Sequence, residues 1–164
     1  MYMSVDGSGS KDGSSLENSK SYSESEDALQ KAWNALTPGS TLFLAAGEYP
    51  AHACLLKSNG KDEKETRKLS GSVKDGKSPV FVGSWGKNDK DKGFTLFKIA
   101  AGSTRWAIEN IVIRSCRTGV ELESPGQAHH GRIENMSMSG MSEVIILNGG
   151  AAVLTPEEGS HDIL

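Results

Sequence analysis

Residues 108–123 read IENIVIRSCRTGVELE and are answered 25 positions later, without a gap, by 133–148, IENMSMSGMSEVIILN. The identities are Ile108/Ile133, Glu109/Glu134, Asn110/Asn135 and Leu122/Leu147. The apolar pattern is kept far better than the letters. A period of this length is too long for a hairpin and too short for a βαβ unit, but it suits one turn of a solenoid, in which each unit buries its apolar face only by stacking on the next. Each period divides into three short strands: 106–108 matched by 131–133, 111–113 matched by 136–138, and 119–122 matched by 144–147.

Period-two alternation assigns the faces. Ile111, Ile113, Val120 and Leu122 point inward, with Met136, Met138, Ile145 and Leu147 above them, while Val112/Ser137 and Glu121/Ile146 point outward. Stacked strands lie about 4.8 Å apart, so each side chain rests on its equivalent one coil away. Asn110 and Asn135 fall at the bend between the first two strands. Asparagine tolerates the left-handed backbone of such a bend, and stacked amides can bond from coil to coil. The fold expected is an all-β parallel β-helix with three strands per coil.

Composition agrees with a turn-rich β protein: 164 residues, 36% apolar, 6% aromatic, 19 glycines. A net charge of −3 gives no global attraction to nucleic acid or anionic membrane, and no run of 18 apolar residues offers a membrane span. MYMSVDGSGS has neither the charged nor the apolar region of a signal peptide, which leaves a cytoplasmic protein or a chain beginning after a removed signal. Cys54 and Cys116 are too few for a zinc site or a disulfide framework and read as two buried free thiols, with a single disulfide as the alternative.

Along the chain, 6–23 reads as an irregular polar lead-in. Asp6, Ser8, Ser10, Asp12 and Glu17 fall at calcium-loop offsets, but Lys11 stands where such a loop needs glycine, so a loop of turns is the better reading. A helix follows over 23–37, with Ser23 and Glu26 as a capping box and Ala28, Leu29, Ala32, Trp33 and Leu36 on one face, stopped by Thr37-Pro38-Gly39. It is expected to cover the open N-terminal end of coils occupying 41–164, in a single domain. TLFLAAGEY, ACLLKS, PVFVGSW and FTLFKI read as strands. Residues 57–78 and 86–93, rich in Lys, Asp, Glu and Gly, read as exposed insertions. The last residues, GSHDIL, repeat the rhythm of HHGRIE, so Leu164 is expected to stop inside a further coil, as the N-terminal portion of a longer β-helix.

The lead-in YMSVDGSGSKDGSS, the helix EDALQKAWNAL and the following TPGSTLFLAAGEY together resemble the N-terminal entry of the pectate lyase-like right-handed parallel β-helix superfamily. Pro38, Gly39, Thr41, Gly47 and Tyr49 match that entry, with Ser40 in place of the usual Asp, and the Asn110/Asn135 pair resembles its asparagine ladder. The resemblance implies a right-handed coil and a secreted or cell-surface location. It also implies a polysaccharide partner, lying along the outer face of the third strand of each coil. For the reaction it is less specific, because the superfamily holds lyases, hydrolases, esterases and non-enzymes.

Aligning Phe97-Lys98-Ile99 with Val120-Glu121-Leu122 and Ile145-Ile146-Leu147 places Lys98, Glu121 and Ile146 in one outward column. Glu123 and Asn148 lie beside it, and Arg114 and Arg117 occupy the loop leading in. A uronate lyase of the kind the resemblance implies needs a basic side chain to take a proton next to a carboxylate. It also needs a cation, often Ca²⁺ on acidic side chains, to offset the developing charge. Lys98 and Arg117 are the catalytic candidates; Arg114, Glu121 and Asn148 would bind substrate; Glu121 and Glu123 would hold Ca²⁺. The competing readings are a solvated face of ion pairs and a non-catalytic glycan-binding or fibre-forming β-helix. His129 and His130 read as an exposed loop before the next coil rather than a metal site, and His52 and His161 show no partners. No aspartate falls between 92 and 161, so this stretch does not offer the clustered acids of a galacturonase-type hydrolase.

Overall fold

A computed structural model describes residues 1–72, 76–86, 93–123 and 129–147. Four coils stack among these residues, each made of three strands. The first holds β3 (Thr41–Leu44), β4 (Gly47–Pro50) and β5 (Cys54–Leu56), and the second β6 (Arg67–Gly71), β7 (Pro79–Val82) and β8 (Thr95–Ile99). The third holds β9 (Thr104–Glu109), β10 (Val112–Arg114) and β11 (Thr118–Leu122), and the fourth β12 (His129–Glu134), β13 (Ser137–Ser139) and β14 (Glu143–Leu147). First strands form sheet A, second strands sheet B and third strands sheet C, all paired in parallel. This is the arrangement of a parallel β-helix.

The repeat sets the register. Ile108 pairs with Ile133, Ile113 with Met138, Val120 with Ile145 and Leu122 with Leu147. Inward columns run through the coils: Leu42, Leu69, Ile108 and Ile133 in sheet A; Tyr49, Phe81, Ile113 and Met138 in sheet B; Cys54, Phe97, Val120 and Ile145 in sheet C. Ile111, Ile113, Val120 and Leu122 are fully buried, as expected. Each such side chain contributes about 1.5–3 kcal/mol relative to exposure. Tyr22, Tyr49, Phe81 and Phe97 add an aromatic run with centroids 5.1, 5.2 and 5.4 Å apart from one ring to the next.

The fourth coil departs from the expectation of uniform burial. Met136 and Met138 are only partly buried, and Ile145 is 40% exposed. Its parity is inward, but no described residue stacks on its outer side, and a core column is dry only where a coil lies on each side of it.

At the other end the apolar face of the helix is buried, with Ala28, Leu29, Ala32, Trp33 and Leu36 all in the core. The helix α1 spans only Ala28–Asn34, and the expected capping box does not form. Asp27 takes the N-cap position without a side-chain cap, because its carboxylate accepts from Ser25 Oγ at 2.7 Å and pairs with Lys31 Nζ at 2.9 Å. The helix lies on β5 and ties to that edge strand. Gln30 Nε2 donates to Leu55 O, Gln30 Oε1 accepts from Leu55 N (both 2.6 Å), and Trp33 Nε1 donates to Lys57 O at 3.0 Å. A strand edge is thus satisfied by side chains rather than left open. Sheet A is extended instead by two strands in the stretch read as lead-in, β1 (Tyr2–Ser4) on β3 and β2 (Lys20–Ser21) on β1.

Two further corrections concern segments read as exposed. Arg67–Gly71 lies inside the stretch 57–78, yet it is a central strand of sheet A between β3 and β9, with Leu69 fully buried. Only one residue of this strand is a large aliphatic, so its charged neighbours conceal it. Before it, Glu63–Glu65 makes a 3₁₀ turn capped by Asp62 Oδ1, which accepts from Lys64 N at 2.8 Å. His129 and His130, expected in a loop, open β12. Residues 87–92 of the second insertion, and GSHDIL at 159–164, lie outside the described residues.

Asn110 and Asn135 take the left-handed conformation, with φ of 59° and 50°, and Asn135 Nδ2 donates to Asn110 Oδ1 at 3.2 Å. The expected rung from coil to coil is present.

Candidate functional site

The outward face of sheet C carries Leu55, Lys98, Glu121 and Ile146 in register on four successive coils. Alternation puts them there, because Cys54, Phe97, Val120 and Ile145 on one side and Leu56, Ile99 and Leu122 on the other take the inward positions. Lys98 Nζ lies 3.9 Å from Glu121 Oε1 and 3.5 Å from Glu123 Oε1. Thr95 Oγ1 donates to Glu121 Oε2 at 2.9 Å. Glu123 stands just beyond the strand, held by its backbone N–H to Ile99 O at 3.0 Å. The structure therefore gathers three of the residues expected at the site into one charge cluster.

Arg114 and Arg117 are elsewhere. Arg114 ends β10 and Arg117 precedes β11, both exposed, on the bend that joins sheet B to sheet C. Arg117 packs against Gly93, where an added Cβ would come within 2.5 Å of the arginine Cβ. Asn148 lies outside the described residues.

Beside the column an open cleft of about 340 Å³ is lined by Gln30, Ala53, Cys54, Leu55, Phe94, Thr95 and Lys98. Gln30 and Leu55 were not singled out by sequence. Leu55 is visible only once β5 is aligned with β8, and Gln30 only through its bonds to the β5 backbone. Cys54 supplies no nucleophile to this cleft: burial pushes its thiol up to about 12, so it stays neutral. Both cysteines are buried and unpaired, as the reading of free thiols expected.

Lys98 faces two carboxylates, and both ion pairs engage its side chain. The carboxylates in turn are matched by Lys98 and Thr95. Two carboxylates fall short of the six to eight oxygens Ca²⁺ takes, and among the described residues no group of three or more His, Cys, Asp or Glu comes together. An ion held at Glu121 and Glu123 would draw its remaining ligands from water or from acidic groups of a substrate. No helix among the described residues is long and apolar enough to cross a membrane.

The stacked parallel sheets define the class of architecture, a β-solenoid closed at one end by a helix. Compared with family models, curated proteins and solved structures, the chain gives no match to any of them.

Proposed function

We propose that this chain is a right-handed parallel β-helix of the pectate lyase-like kind, secreted or displayed at a cell surface, that takes an acidic polysaccharide along the outer face of sheet C. The hand is the one that connections between parallel strands adopt almost without exception. The observation carrying the reading is the outward column Leu55, Lys98, Glu121 and Ile146, one residue per coil. A ladder at a fixed spacing suits an extended repeating polymer, with Leu55 and Ile146 offering apolar surface and Lys98 charge. Arg114 and Arg117 add exposed guanidinium groups for carboxylates on the adjoining bend.

The reaction suited to these groups is β-elimination. The proton next to a uronate carboxylate leaves to a base, its electron pair forms the new double bond, and the glycosidic oxygen departs with its sugar. Lys98 is engaged by Glu121 and Glu123, which leaves Arg117 as the basic group to test for proton removal. The same engagement favours a second reading, a binding module without catalysis. Incubation with pectate, alginate and chondroitin, with and without Ca²⁺, separates the two through the absorbance of unsaturated products, while affinity electrophoresis follows binding. Product formation lost in Arg117→Ala with binding kept supports the lyase. Binding without product supports the module. Absence of both on all three polymers overturns the proposal.

A further inference from the structure

A second cleft, of about 450 Å³, opens on sheet A, a different face from the column on sheet C. Its wall is basic: Lys68, Arg105, Arg132 and His130, with Glu63 as the single carboxylate residue among those lining it. Two features of the backbone converge these groups. Lys68 and Arg132 fall in one register row, each paired to Ala107 of the coil between them. Arg105 and His130 occupy equivalent places in consecutive coils, and both are left-handed, with φ of 57° and 53°.

The wall also carries a buried donor without an acceptor. Trp106 is 1% exposed, lines the cleft, and its indole Nε1 has no hydrogen-bond partner. Arg132 Nε makes no hydrogen bond, but it is ion-paired with Glu134 Oε1 at 3.4 Å. Buried N–H groups are ordinarily satisfied, and the Trp106 indole on a wall of basic side chains calls for an acceptor from outside the chain. The tryptophan is held there by Gly131, where a Cβ would meet the indole ring.

We infer that this cleft is an oxyanion site for a carboxylate or sulfate ester of an acidic saccharide. Half-buried cations strengthen charge-assisted bonds to such a group, and the cleft is of a size that ordinary small-ligand sites have. The choice of an acidic saccharide rests on the proposed function, while the anion site itself rests on the residues of this cleft. The test is made in a Lys98→Ala/Arg114→Ala/Arg117→Ala background, which removes the cations proposed for that face. Calorimetric titrations with a galacturonate tetrasaccharide, a sulfated tetrasaccharide, a neutral tetrasaccharide and inorganic sulfate are compared there. An acidic saccharide should bind, the neutral one should not, Lys68→Gln or Arg132→Gln should weaken binding at least tenfold, and Glu63→Gln should tighten it severalfold. The last variant gains affinity, so misfolding cannot imitate it. Unchanged affinity in Lys68→Gln and Arg132→Gln, binding of inorganic sulfate alone, or no tighter binding in Glu63→Gln overturns the assignment.

Discussion

Leu122→Ala is the sharpest test of the stacked core. Leu122 is fully buried, with Ile99 paired to it on one side and Leu147 on the other. Truncation removes the transfer energy of the lost carbons and leaves a cavity. Neighbouring coils cannot collapse into it, because their backbones are held about 4.8 Å apart by the parallel ladders. The loss should fall in the upper part of the usual range for such a change, about 3–4 kcal/mol. For a chain of this size that lowers Tm by about 6–16 °C, at roughly 2–4 °C per kcal/mol. Val112 is the control. It has the opposite parity, is half-buried on the outer face of sheet B, and pairs with Val80 and Ser137. Val112→Ala should cost about 1 kcal/mol or less. Replacement by Asp widens the contrast, since an unpaired charge at 122 prevents folding and one at 112 meets water. Thermal unfolding followed by circular dichroism compares the four variants, and equal losses at 112 and 122 would refute the facing of the strands.

Asn110→Ala should destabilise by about 1–2 kcal/mol, because it loses the amide rung to Asn135 and puts alanine at φ 59°, whereas Asn110→Gly should recover part of the loss; a chemical denaturation series that ranks glycine below alanine would count against a backbone origin. Burial pushes the thiols of Cys54 and Cys116 up to about 12 and about 11, and pushes the phenols of Tyr22 and Tyr49 upward as well. These groups fold neutral, so stability is whole below the unfolded thiol value of about 8.5 and falls as pH rises from there through the folded values. Alkaline titration of Cys54→Ala/Cys116→Ala should show a later onset, and an unmoved onset would clear the thiols of a role. Trypsin should cut first after Lys57, Lys61 or Lys64, ahead of the central strand Arg67–Gly71; first cutting after Lys68 would contradict that strand.

The repeat made the third and fourth coils readable because stacking demands a constant register, and the pairing of Ile108, Ile113, Val120 and Leu122 follows from that demand alone. The strands β1 and β6 were not readable for the complementary reason. Arg67–Gly71 buries Leu69 with a serine and a glycine beside it, so tertiary position makes it a strand where composition suggests a loop. Gly71 illustrates the constraint: a Cβ there would clash with Asn110 O, so the residue that looks like a loop marker is required by close backbone approach. The helix was readable by its apolar face but not by its cap, since Asp27 spends its carboxylate on Ser25 and Lys31.

The two candidate surfaces differ in how far alternation reaches. On sheet C the strands β5, β8, β11 and β14 keep period two, so Lys98 and Glu121 could be placed in one column from spacing alone. Glu123 joins Lys98 at 3.5 Å from beyond the strand end, a diagonal contact that spacing brought near but did not pair. On sheet A the alternation is interrupted. Arg105 and His130 sit at positive φ at the same place in consecutive coils, which breaks the count between the bend and the strand and brings their side chains to the cleft shared by Lys68 and Arg132. A left-handed arginine or histidine carries no composition signal, unlike the glycine or asparagine that usually takes that conformation. Such strain is tolerated where the surrounding ladder over-determines the backbone, and here the pairs Thr104–His129 and Trp106–Gly131 flank both residues on either side. A solenoid thus makes its outer faces legible only as far as its strands run straight, and the site that hides from the repeat is the one built where two coils bend alike.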